Sequence, residues 1–250
     1  MAAYHQLDPP GFRPRRRSRT AIRRARRAAL ALCGVLLAAE PAGGYGCPKD
    51  MAAVGESFCI DRYEASRPDA TGLSGGEDGS RATSRRGVMP WYVKPMSIAA
   101  LRVFDAACRA AGKRLCEREE WLQACAGPRG SIYPFGDRWD REACNSADAF
   151  CDDYCAQEGI SPCGTAEDCG YRYNSFRIAP TGSFPRCTNG FGLFDLSGNV
   201  WEVVPGDAPR GYEVRGGAFN CARPSERLKC AFSAGWDNLS AGFRCCKDRD

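Results

Sequence analysis

The chain has 250 residues, 44% of them hydrophobic, enough to bury the core of one large domain or two small ones. Its net charge of +5 would suit a nucleic-acid partner, but that charge sits at one end. Nine arginines lie between Arg13 and Arg27, and residues 1–44, whose only acids are Asp8 and Glu40, carry +7. The remainder is left at −2, and a mildly acidic body has no electrostatic case for nucleic acid.

The arginine run leads into a 12-residue apolar stretch, Ala28 to Ala39, and then into small residues and a turn, Pro41-Ala42-Gly43-Gly44. A basic region, a short apolar region and small residues together read as a secretory signal occupying residues 1–44, with cleavage near Ala42 to Gly46. The apolar run is short of the roughly 20 residues that span a bilayer, so no transmembrane domain is expected after signal removal. The alternatives are an uncleaved anchor or a basic tail. Cys47 would make a lipoprotein if acylated, although Gly44 stands where a leucine is expected three residues before a lipidated cysteine.

Beyond the signal, one domain is expected over 47–250. Phe58 to Glu64 alternates apolar and polar residues as a strand does, and the polar, glycine-rich run 67–86 reads as a solvated loop. Ile98 to Ala111 carries Leu101, Val103, Phe104, Ala107, Cys108 and Ala111 at helical spacing, ended by Gly112. A second helix is expected over Glu117 to Ala126, with acids in its first turn, where they suit the helix dipole. From Gly127 onward there is no long periodic segment, only short runs rich in glycine and cysteine.

Sixteen cysteines are present, fifteen of them after the signal, and in an oxidising compartment that density reads as a disulfide framework. The cluster Cys151, Cys155, Cys163 and Cys169 could suggest zinc, but its spacings fit none of the usual zinc pairs. An odd count leaves one cysteine unpaired, lipidated or joined to another chain. The only histidine is His5, upstream of the signal. The domain therefore has none of the histidines that Ser-His-Asp or Cys-His catalysis, a two-His-one-carboxylate iron site or ordinary zinc hydrolysis require.

Four stretches, in order, resemble the formylglycine-generating (sulfatase-modifying) enzyme family. They are Ala111-Gly112-Lys113-Arg114-Leu115 with Glu119-Glu120-Trp121; Tyr133-Pro134-Phe135-Gly136 with Cys144-Asn145; Asn189 through Glu202 (NGFGLFDLSGNVWE); and Val214-Arg215-Gly216-Gly217-Ala218-Phe219 with Gly242-Phe243-Arg244-Cys245. The resemblance implies a compact, irregular α+β fold related to C-type lectins, low in regular secondary structure and rich in disulfides. It implies a calcium ion at the positions matching Asp195, Gly198, Val200 and Glu202, the middle two through their carbonyls, which suits a hard, oxygen-preferring cation. A second calcium site would begin at Asn145 and Ser146. The family's disulfides map onto Cys108–Cys245 and Cys125–Cys230, whereas Cys47–Cys59 rests on nearness in sequence alone.

The family's oxidases use two cysteines to hold Cu(I) and convert a substrate cysteine to formylglycine. Cys221 matches the first. Glu226 stands where the second belongs, and Ala218 replaces a serine. A soft ion needs both thiolates, so bound copper is not expected here. Cys221 is a candidate for the unpaired cysteine, and Cys116, where the family has proline, is the one that could bridge to it. The expected function is that of an exported, divergent member acting as a binding or scaffold domain for a protein or glycan ligand. The alternative is a copper-dependent oxidase of a protein cysteine that uses Cys221.

Overall fold

Ser97 starts the longer helix: its hydroxyl accepts the Ala100 N–H at 3.2 Å, satisfying one of the free donors at a helix N-terminus. This helix, α1 (Ile98–Ala110), buries Leu101, Phe104, Ala107 and Cys108. Val103, counted by its spacing with the apolar face, is 52% exposed. It lies two residues from Leu101, roughly opposite on the helical wheel, where neighbours three and four apart would share a face. The second helix, α2 (Arg118–Ala126), begins one residue later than expected, with Glu117 as its cap and the Glu120 carboxylate accepting the Glu117 N–H at 2.8 Å.

The computed structural model describes residues 46–147, 149, 178–207, 209–221, 225–234 and 239–249. The signal segment and Cys151, Cys155, Cys163 and Cys169 lie outside them. Two four-stranded sheets are assembled from short strands distant in sequence. The first runs β1 (Met51–Val54), β2 (Phe58–Asp61), β10 (Cys245–Asp248), β5 (Arg114–Leu115), antiparallel throughout. The second runs β8 (Ser233–Ala234), β7 (Tyr212–Arg215), β6 (Trp201–Pro205), β9 (Ala241–Gly242), with β6 and β9 parallel. β2 ends at Asp61, short of Glu64, and all four of its residues are buried, because it lies between β1 and β10.

The run 67–86 is not simply a solvated loop. Its end pairs as β4 (Thr83–Ser84) with β3 (Ala65–Ser66), and Ala70, Ala82 and Ser84 are buried. Asp69 supplies the local order, its carboxylate accepting the backbone N–H groups of Glu77 and Asp78 at 2.8 and 3.1 Å. Arg67 stacks over Trp91, 4.5 Å from the ring centroid. A polar, glycine-rich composition reads as solvated when each residue is judged alone. Here the polar groups bond one another and the small residues tuck beneath them.

One core cluster gathers the inner faces of α1 and the second sheet around Trp91, Phe104 and Phe243, the two phenylalanine rings stacking at 4.2 Å. Full burial of such a ring contributes about 1.5–3 kcal/mol. The other cluster packs α2 against β1 and β2. Among the described residues five disulfides staple these parts: Cys47–Cys59, Cys108–Cys245, Cys116–Cys246, Cys125–Cys230 and Cys144–Cys187. Cys116 is therefore bonded to Cys246 and does not bridge to Cys221. It follows directly on β5, which pairs with β10, so Cys246 is its near neighbour.

Candidate functional site

The segment from Asp195 to Glu202 makes a tight turn before β6. Asp195 and Asn199 have φ of 60° and 55°, the left-handed region that Asp and Asn tolerate better than other non-glycine residues. Gly198 has φ of 81°, and a Cβ there would stand 2.2 Å from the Asn145 carbonyl oxygen, so only glycine fits. The turn is pinned to the Asn145 backbone, whose carbonyl accepts the Asn199 N–H at 2.8 Å.

Asn199 is the hub. Its side-chain oxygen accepts from Asn145 Nδ2 and from the Ala179 N–H, both at 2.8 Å, and its Nδ2 donates to Glu64 Oε2 at 2.6 Å. Its carbonyl accepts the Phe219 N–H at 2.9 Å, which ties this turn to the one that carries Cys221.

Three buried carboxylates surround the turn: Glu64, Asp195 and Glu202, each at most 3% exposed. Glu202 is held most firmly. Trp121 Nε1 donates to its Oε2 at 2.7 Å, and Arg244 Nε donates to Oε1 and Oε2 at 2.8 and 2.9 Å. Arg244 also donates to the carbonyls of Asp61 and Phe194. Asp195 Oδ2 accepts the Gly182 N–H at 2.6 Å, and Glu64 Oε1 accepts the Val200 N–H at 3.2 Å. Burial is the main cause that raises all three acids above their ordinary pKa values. Asp195 reaches about 6, and Glu64 is pushed up further by the charges of Asp195 and Glu202. Arg244 is the guanidinium whose charge reaches all three carboxylates, and Arg86 acts on Asp195 as well.

Sequence reasoning placed Asp195 and Glu202 together but missed Glu64, whose partners are more than 130 residues away in the chain. Ser146 is fully buried, and its hydroxyl has no hydrogen-bond partner. No group of three or more His, Cys, Asp or Glu side chains able to hold a metal ion occurs among the described residues, so any ion here would need backbone carbonyls as well.

Cys221 is the one free cysteine among the described residues, and it is buried. Its sulfur accepts the Ala218 N–H at 3.3 Å, and its carbonyl accepts the Ala147 N–H at 3.1 Å. Burial pushes its thiol up to about 11, against smaller opposing effects from the Ala218 N–H and Arg227, so the group is protonated at neutral pH. Glu226 is exposed on a single-turn 3-10 helix, Ser225–Leu228, whose Leu228 is buried, and its carboxylate is 2.6 Å from Lys229 Nζ. One buried, protonated thiol and a hard carboxylate do not fit Cu(I), which takes soft thiolates.

A small, irregular α+β domain, stapled by disulfides and organised around a glycine-Asn turn with buried acids, is the class of protein this geometry defines. Residues 51–249 match the family described as the sulfatase-modifying factor enzyme 1-like domain, and the chain belongs to that family. Similar curated proteins include inactive C-alpha-formylglycine-generating enzyme 2 of Mus musculus, 31% identical over 56% of this chain and 44% of that protein. Formylglycine-generating enzyme of Mus musculus is 28% identical over 57% of this chain and 41% of its own length. That of Mycobacterium tuberculosis is 28% identical over 56% and 43%. The matches thus span less than half the length of these relatives. Among solved structures, PvdO from Pseudomonas aeruginosa aligns over 76% of this chain and 80% of its own, with 18% identity and a TM-score of 0.43.

Proposed function

We propose that this chain is a divergent member of the family that lacks formylglycine-generating activity and serves as an exported binding or scaffold domain. The observation that carries the reading is Cys221: a single buried thiol, protonated at neutral pH, with Glu226 exposed and ion-paired where the second copper ligand would stand. Relatives named as active and as inactive enzymes match it at similar identity, so the decision falls on these residues. A Cu(I) titration of the purified protein against a competing chelator tests the reading. Weak binding is expected. Tight binding of one equivalent that is lost in Cys221→Ser would favour the copper oxidase.

Calcium is the ion we assign to the turn, with carboxylate oxygens of Asp195 and Glu202 and the carbonyls of Gly198 and Val200. The donors are all hard oxygens, and a divalent cation would cancel the charge that Arg244 leaves uncompensated among Glu64, Asp195 and Glu202. A second calcium ion at Asn145 and Ser146 rests on the resemblance and on the unpartnered Ser146 hydroxyl.

Export is supported by the five disulfides, which persist in oxidising compartments, and by the Arg-rich and apolar segments before Cys47. Among the described residues no helix is long and apolar enough to cross a membrane. Intact-mass analysis of protein from its native host should find a chain beginning between about residues 40 and 47. An unprocessed chain would contradict export through this signal.

A further inference from the structure

A cleft of about 730 Å³ opens between the segment 129–143 and the segment 186–188, and Cys221 is not among its lining residues. Its volume is that of a small-molecule site, for which about 300–1,000 Å³ is usual. The Cys144–Cys187 disulfide joins the two walls, and its sulfurs pack with Ala143, Phe135 and Phe184. Phe135 is further fixed by Tyr133 and Trp139, with ring centroids 5.3 and 5.9 Å away. The base of the cleft is therefore held by the disulfide and the aromatic cluster.

Its charge is lopsided in a way that folding does not explain. Arg186 is spent within the protein, its guanidinium bonded to Asp140 at 2.8 Å and Glu142 at 3.1 Å. Asp137 is partly spent too, since its Oδ1 accepts the Ile132 N–H at 3.0 Å. Arg129 and Arg138 line the same cleft and are exposed, and neither makes an ion pair or hydrogen bond among the described residues. Thr188 also lines the cleft, but its hydroxyl is shielded and belongs to the wall rather than to the contact surface. Two unpaired guanidiniums, which bind oxyanions bidentately, and an aromatic wall form one constellation.

We propose that this cleft binds an acidic saccharide, with its sulfate or carboxylate group between Arg129 and Arg138 and a sugar face against Phe135. A bare oxyanion would occupy only a small part of the volume. The assignment deepens the reading of the chain as a binding domain, yet it does not depend on whether Cys221 is catalytic.

The test is calorimetric titration of the purified full chain with three probes at matched ionic strength: a sulfated uronic-acid disaccharide, a neutral disaccharide of the same linkage, and inorganic sulfate. The acidic disaccharide should bind at least tenfold more tightly than either of the others. Arg129→Gln combined with Arg138→Gln should weaken it at least tenfold with the melting temperature unchanged, whereas Arg102→Gln, on the exposed face of α1, should leave it intact. Equal binding of the acidic and neutral disaccharides would overturn the proposal, as would undiminished binding by the double variant or no binding of any probe. Inorganic sulfate binding as tightly as the disaccharide would overturn the saccharide assignment. These readouts differ from formylglycine formation and Cu(I) binding, so the two accounts fail separately.

Discussion

Replacing both Cys116 and Cys246 with alanine opens one of the two bridges that anchor β10. Their separation of 130 residues suggests a large loss, and the neighbouring Cys108–Cys245 bridge, separated by 137 residues, suggests another of the same size. Taken alone, either bridge would restrict the unfolded chain by about 5 kcal/mol in the loop-entropy model. The two are interleaved, however. Once Cys108 is bonded to Cys245, the second bridge closes only the path from Cys108 to Cys116 and one peptide from Cys245 to Cys246, a loop of about nine residues worth about 2.5 kcal/mol. Opening either bridge should therefore cost about 2.5 kcal/mol. With both open, Cys125–Cys230 still leaves a path of roughly 32 residues from Cys108 to Cys245, a closure worth about 3.7 kcal/mol, so opening both should cost about 6 kcal/mol, more than the sum of the parts. Urea unfolding of the wild type, the two paired variants and the fourfold variant measures this. Packing lost at each cysteine enters both arms of the cycle and cancels. A fourfold loss no larger than the sum of the two separate losses would refute the reasoning, as would about 5 kcal/mol for each bridge alone.

Arg244→Met removes the guanidinium bonded to Glu202 and should lower stability by about 3–5 kcal/mol, read by denaturant unfolding, because breaking a buried pair strands the remaining charge. Saturating calcium at about 100 times its dissociation constant should stabilise the domain by about 2.7 kcal/mol, so chelation should lower the melting temperature by roughly 5–10 °C and Asp195→Ala should abolish that sensitivity. A protein equally stable with and without chelator would remove calcium from the account. Cys221 keeps its proton up to about pH 11 in the folded state, against 9.0 for an unperturbed thiol, so the native state binds more protons in that window. Its contribution is fully present below pH 9 and is lost as pH rises through 11, on the order of 2–3 kcal/mol. Unfolding at pH 8 and pH 10.5 should show a smaller alkaline loss in Cys221→Ala than in the wild type.

Local pattern carried the helices, and the family resemblance the class of fold. Residues such as Ser97, Leu101, Phe104 and Cys108 announce α1 within one stretch, and the acids at Glu119 and Glu120 mark the start of α2. The sheets were not legible in the same way. β2 pairs with β10 nearly 190 residues away, and strands of two to five residues carry too few positions to show a period. The same limit hid half the candidate site. Asp195 and Glu202 share one motif and were found, but Glu64, Trp121 and Arg244 come to them from three separate parts of the chain. The basic cleft was missed because Arg129, Arg138 and Arg186 look like ordinary surface charge until their partners are counted. Asp69 shows the converse: a polar run that looks solvated is ordered by bonds among its own members.

The central claim is that the cysteine chemistry of the family's oxidases is absent here. Its most direct measurement is mass spectrometry of a peptide bearing the CxPxR sulfatase motif after incubation with the purified, copper-loaded full chain and oxygen. The cysteine should remain unconverted, because Cys221 has no thiolate partner among the described residues and is itself protonated. Turnover of that cysteine to formylglycine, abolished by Cys221→Ser, would contradict the account.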